Sequence, residues 1–268
     1  MSMSGAASGR AAVGVVAVVS AHMRASILLL ALALLAAAQT RAEDTSEAWR
    51  DLESRIEYGY YTEDARELAR LAPTLAATES HDKLHDYYSG LLAWRQALLA
   101  NPAGAGAQFA ARCVSSLDAA LAAQSDFAEA LALQAACRIA PAELGGGYAP
   151  LAVLRARREM DQARRLAPDN PRVLLLDAMS DYRLSASQGG NRERALVKLR
   201  QAAAAFESER RAPDRVPGWG APDAYLLLGR DLLDHGDPAG ARDALERVLL
   251  LAPDCAQAKR LLAKITAG

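Results

Sequence analysis

From Ser46 onward, apolar residues return at intervals of three and four, and no stretch shows the period-two alternation of a half-buried strand. The pattern predicts an all-α chain. Residues 46–57 put Trp49, Leu52 and Ile56 on one helical face, with Gly59 expected to end it. Thr62 then caps a second helix, with Glu63 and Asp64 in its first turn and Ala65, Leu68, Ala69 and Ala72 as a small-residue face. Further helices are predicted over 81–100 and 108–123, from Phe127 to about Ala140, and over 151–166, 173–184 and 192–206. The stretch from Pro222 to Cys255 holds two more around a Gly236-Asp237-Pro238 turn, and 256–265 forms a last helix. Most connections are short, so consecutive helices should run antiparallel.

The stretch from Pro222 to Cys255 carries the most complete motif. Tyr225, Leu228, Gly229, Leu232, Ala241, Leu245 and Pro253 have the offsets of aromatic-x2-Leu-Gly, Ala-x3-aromatic and a closing Pro, and the stretch resembles a tetratricopeptide repeat of roughly 34 residues. Leu232 and Leu245 stand where that family usually has aromatics. AALAAQSDFAEALAL from Ala119 and RRLAPDNPRVLLL from Arg164 are similar to junctions between such repeats. Trp49-x2-Leu52 also fits, although Glu53 takes the place of the family's glycine. The junctions at Ser125, Pro168 and Pro253 lie 43 and 85 residues apart, so material is inserted near Gly145-Gly147 and over 186–191 and 208–221. The resemblance implies a right-handed superhelical solenoid of about five repeat-like units plus a capping helix. It implies a concave groove lined by the first helix of each pair, with Arg172, Leu175, Met179, Tyr182 and Arg183 from one unit and Asp223, Leu226 and Arg230 from the next. It also implies a protein or peptide partner. The basic pairs of the family's carboxylate clamp do not stand at these places.

The N-terminal part changes the setting. Arg24 precedes the apolar run Ile27–Ala38, which is shorter than the roughly 20 residues of a membrane span and reads as a secretory signal. Cleavage is expected after Ala42, leaving residues 1–42 as N-terminal extension and signal peptide and 43–268 as the solenoid domain, exported or periplasmic and without a stable membrane anchor. An internal Met23 offers an alternative start. Of the 31 basic and 32 acidic residues, Arg10, Arg24 and Arg41 fall in the removed segment, leaving 28 against 32, a net of -4. Nothing there points to nucleic acid. Cys113 and Cys137 lie twelve residues either side of Ser125, a spacing compatible both with a disulfide between facing helices and with two buried thiols.

Candidate chemistry is sparse. His81 and His85 share a helical face, yet no zincin-type Glu or third ligand accompanies them, so they read as exposed polar residues at a helix start. Gly145-Gly146-Gly147 lacks the Lys of a phosphate loop. The arginines at 155, 157, 158, 164 and 165 are interspersed with acids and read as solvated helix faces. No catalytic residue, metal site or cofactor is assigned. Trp219, between two glycines, is expected either to plug the first face of the terminal repeat or to form a binding lip. The sequence therefore points to an exported, non-catalytic interaction scaffold that binds a peptide or partner protein. The alternative is a periplasmic accessory of an envelope transport system with a small-molecule cavity, in either case with room for a homo-oligomer.

Overall fold

A computed structural model describes residues 46–77, 83–100, 103–143, 149–210 and 216–267. The signal segment, the proposed cleavage point, His81 and the triple glycine lie outside these. The described chain is helical: α1 (46–61), α2 (Ala65–Ala76), α3 (Lys83–Leu99), α4 (Ala103–Ala123), α5 (Ala128–Glu143), α6 (Pro150–Leu166), α7 (Pro171–Arg183), α8 (Arg192–Glu209), α9 (Ala221–Asp234), α10 (Pro238–Leu251) and α11 (Ala256–Ala267). A single 3-10 turn, Ala186–Gln188, stands between α7 and α8. From Arg50 onward the chain makes one compact unit in which α3/α4, α5/α6, α7/α8 and α9/α10 pair, and α11 follows α10. Within this all-α stack, the units match the pairs expected from the repeat pattern.

Local chemistry explains the breaks. In the terminal pair Gly236 adopts φ 77°, Asp237 caps α10 by accepting from the Gly240 amide, and Pro238 occupies the first turn. Gly229 lets the helices close: a Cβ there would lie 2.8 Å from Leu245 Cγ and 3.3 Å from the Ala241 carbonyl. Asn170 and Pro171 start α7 in the same way.

Several boundaries differ from the sequence pattern. α1 does not stop at Gly59, because Tyr60 and Tyr61 are buried and carry the helix two residues further; Glu63, at φ 58°, breaks it. The cap of α2 is Asp64, which accepts from the Arg66 and Glu67 amides, and not Thr62, whose hydroxyl bonds back to the Tyr58 carbonyl. Asp64→Ala is expected to cost about 1 kcal/mol in urea unfolding, and an unchanged midpoint would contradict the capping role. α4 begins at Ala103, ahead of the expected residue 108. His85 is buried, not exposed: its Nε2 lies 3.0 Å from the Leu75 carbonyl and its Nδ1 3.1 Å from Asp86, so it joins α3 to the last turn of α2.

Cys113 and Cys137 form a disulfide between α4 and α5, with Cα atoms 6.1 Å apart; Cys255 is free and buried. Reduction is expected to cost about 3 kcal/mol, the loop entropy of a separation of 24 residues. The check is a urea midpoint with and without reductant; no shift would contradict it.

Candidate functional site

The two ends of the compact unit meet. Tyr60 and Tyr61 of α1 pack into one cluster with Leu226, Leu245, Val248, Cys255 and Ala258 of the last three helices. At the corner before α2, Glu63 accepts from Arg260 of α11 at 2.8 Å.

Behind that seam lies Arg95, fully buried on α3. Its guanidinium is forked on two carboxylates. Nε and Nη2 donate to Glu57 of α1 at 2.9 and 2.5 Å, while Nη1 and Nη2 donate to Asp223 of α9 at 3.0 and 2.6 Å. Tyr61 donates to Asp223 at 2.7 Å. The rings of Tyr60, Trp94 and Trp219 surround the cation at 4.0, 4.6 and 5.2 Å. Burial raises the Glu57 carboxyl to about 7: Arg95 pulls it down, Asp223 and Glu53 push it up, and burial wins.

The inserted segment 216–220 completes this interior. Trp219 is buried, its ring 5.6 Å from Trp94, and its indole N–H donates to Tyr87 at 2.8 Å. Its carbonyl accepts from Arg172 of α7 at 3.1 Å, and Arg172 is itself paired with Glu209. The Gly218 amide donates to both oxygens of Glu53, at 3.1 and 2.9 Å, and Tyr88 donates to the same carboxylate at 2.7 Å. Gly220 has φ 109°, and a Cβ there would meet Phe206 at 2.9 Å. Trp219 thus plugs the space between the first helices, docking on α3 and α7; this corrects the expected seat on the terminal repeat.

The predicted groove residues divide accordingly. Arg172, Leu175, Met179, Asp223 and Leu226 are buried, so they are not an exposed groove lining; Tyr182, Arg183 and Arg230 are half-buried. Met179, Arg183, Asp223, Leu226 and Arg230 do converge, but on a hollow of about 20 Å³, room for a water molecule at most. Tyr182 instead donates to Asp234 at 3.0 Å, under the Arg192 guanidinium.

The opposite face of α7 borders a larger hollow. Leu176, Asp177, Ser180, Asp181 and Leu184 border a cleft of about 340 Å³ among α5, α6, α7 and α8. Its floor is apolar, with Ile139, Val153, Met160, Leu176 and Leu184, and its rim carries Arg157, Arg164, Arg194 and Lys198 beside Asp161, Asp177 and Asp181. A second hollow of about 460 Å³ continues it toward Pro168 and Gln201. Ion pairs span the rim, Lys198 reaching Asp177 at 2.7 Å and Asp181 at 2.8 Å, and Arg164 reaching Asp177 at 3.6 Å. Arg157 and Arg164 are exposed, as a solvated face requires, and also border the cleft. Among the described residues no group of three or more His, Cys, Asp or Glu could hold a metal ion, and no helix is long and apolar enough to cross a membrane.

A tetratricopeptide repeat model matches residues 222–265. No curated protein matches the chain. Among solved structures, the HusA haemophore from Porphyromonas gingivalis is similar in fold, with a TM-score of 0.54 and 20% identity over 69% of this chain and 92% of that one.

Proposed function

We propose that this chain, whose residues 222–265 match a tetratricopeptide repeat, is an exported, non-catalytic scaffold that binds a peptide or a helix of another protein in the α5–α8 cleft. The observation that carries the reading is the contrast between two faces of α7. One is closed by the Trp219 segment, whereas the other borders a cleft with an apolar floor and a rim of both charge signs. An apolar floor supplies affinity, and rim charges select the partner and its register. Export rests on the Arg24 to Ala42 signal pattern.

The test is affinity capture from native envelope extract. Arg157→Glu with Arg164→Glu is expected to lose a partner that wild type retains, with helical circular dichroism unchanged. Tyr182→Ala with Arg230→Glu, on the closed face, is expected to keep it. Loss only in the second pair would return binding to the concave groove expected from the repeat pattern and contradict the proposal.

A second reading, a carrier of an amphipathic small molecule, is favoured by the volume of the same cleft, which falls in the range of small-ligand sites. The fold it shares with a haemophore makes haem the first compound to try. Native mass spectrometry showing a stoichiometric small molecule, displaced by a Met160 substitution, would favour it over the scaffold.

A further inference from the structure

A separate hollow of about 330 Å³ opens where α1 meets residues 218–222 and the end of α10. Its lining combines three carboxylates, Glu53, Glu57 and Asp254, with three aromatic side chains, Tyr58, Tyr61 and Trp219; among the described residues that line it there is no Lys or Arg. The charge behind this wall does not balance. Glu57 shares the single Arg95 guanidinium with Asp223. Glu53 is bonded by neutral donors, the Gly218 amide and the Tyr88 hydroxyl. Two carboxylates thus share one cation, and the third, Glu53, has only the attraction of Arg172, which is itself paired with Glu209. Asp254 is exposed and meets Lys259, which is not part of the lining, at 3.1 Å.

We propose that this hollow is a binding site for an organic ammonium group carried on an apolar stem. The wall supplies the missing countercharge, the exposed ring of Tyr58 offers cation–π contact, and the apolar end of α10, Leu251 to Pro253, receives the stem. Such a group arrives either as a free small amine or as the lysine side chain of a bound peptide. The site is distinct from the α5–α8 cleft and stands or falls apart from it. Binding has a built-in pH dependence. The groups facing Glu57 are Arg95 from α3, Asp223 from α9 and Glu53 from its own helix, and burial holds its carboxyl near 7. Below that value a proton occupies the charge that the ammonium needs, so affinity rises from pH 5.5 to pH 8 while the amine stays protonated.

The test is calorimetric titration of the full chain with phenethylamine, with phenylacetate as the same stem bearing the opposite charge, and with acetyl-Gly-Phe-Lys-Gly-amide beside its acetyl-lysine form. The ammonium compounds are expected to bind at least roughly tenfold more tightly than their controls. Ser54→Lys, which sets a fixed cation at the exposed rim without touching the buried network, is expected to weaken binding by about the same factor, and Glu53→Gln likewise. Binding by phenethylamine alone would identify a small-amine site, and binding by the lysine peptide alone a side-chain pocket. Equal affinity for phenylacetate, no binding of either ammonium probe, or indifference to Ser54→Lys in a folded variant would overturn the proposal.

Discussion

Replacing Arg95 with methionine is expected to cost about 3–5 kcal/mol, enough to leave much of the chain unfolded. The side chain is fully buried, and its removal would strand the carboxylates of Glu57 and Asp223 with no cation between them. The loss should depend on pH, with a definite sign. Burial has already raised the Glu57 carboxyl to about 7, so the folded chain holds that proton more tightly than the unfolded one. The resulting stability is fully present below the ordinary carboxylate value of 4.5 and is lost as pH rises through about 7. Arg95 moderates this shift, so Arg95→Met should be less damaging at pH 5 than at pH 8. Adding Glu57→Gln and Asp223→Asn should recover part of the loss, because a neutral triad leaves no bare charge behind. Urea unfolding followed by circular dichroism checks each step. A cost under about 1 kcal/mol for Arg95→Met at pH 8, the level of a surface ion pair, would contradict the burial of the pair.

Trp219→Ala is the second large effect, about 3–5 kcal/mol, or a fall in melting temperature of roughly 10 °C for a domain of this size. It empties the space beside Trp94 and deprives the Tyr87 hydroxyl of its indole donor. Trp219→Phe separates the two parts, since it keeps most of the ring and removes the hydrogen bond, for about 1 kcal/mol. If alanine and phenylalanine cost the same, the ring is not filling the interior. Differential scanning calorimetry reads both.

The helix pairs were legible because apolar spacing and turn residues act locally. Gly236, Asp237 and Pro238 specify their turn whatever the rest of the chain does, and Gly229 marks a close helix approach. The interior was legible only in hindsight. Arg95 falls four residues after Leu91 and three before Leu98, on the buried stripe of α3, and a charged residue in that position signals a buried partner. Glu53 gave the same signal by replacing the glycine of the repeat pattern, and the structure supplies the reason, since its carboxylate receives the Gly218 amide. What spacing could not supply was the partner, because Glu53 and Gly218 are 165 residues apart. The burial of Arg172, Leu175, Met179, Asp223 and Leu226 was hidden for a related reason. An insertion with one tryptophan packs against Arg172 and Tyr87, while the opposite face of α7 borders the larger hollow. The cleft carried no motif: Met160, Leu176 and Lys198 come from three helices and meet only after packing.

The account rests on segment 216–220 being part of the interior, and backbone hydrogen exchange of the full chain measures this directly. A peptide covering Val216 to Gly220 is expected to exchange as slowly as the core of α9, because the Gly218 and Trp219 amides are held by the buried Glu53 carboxylate. Exchange within seconds, as in an open loop, would mean that the groove expected from the repeat pattern stands free, and both the closed interior and the placing of binding in the α5–α8 cleft would fall.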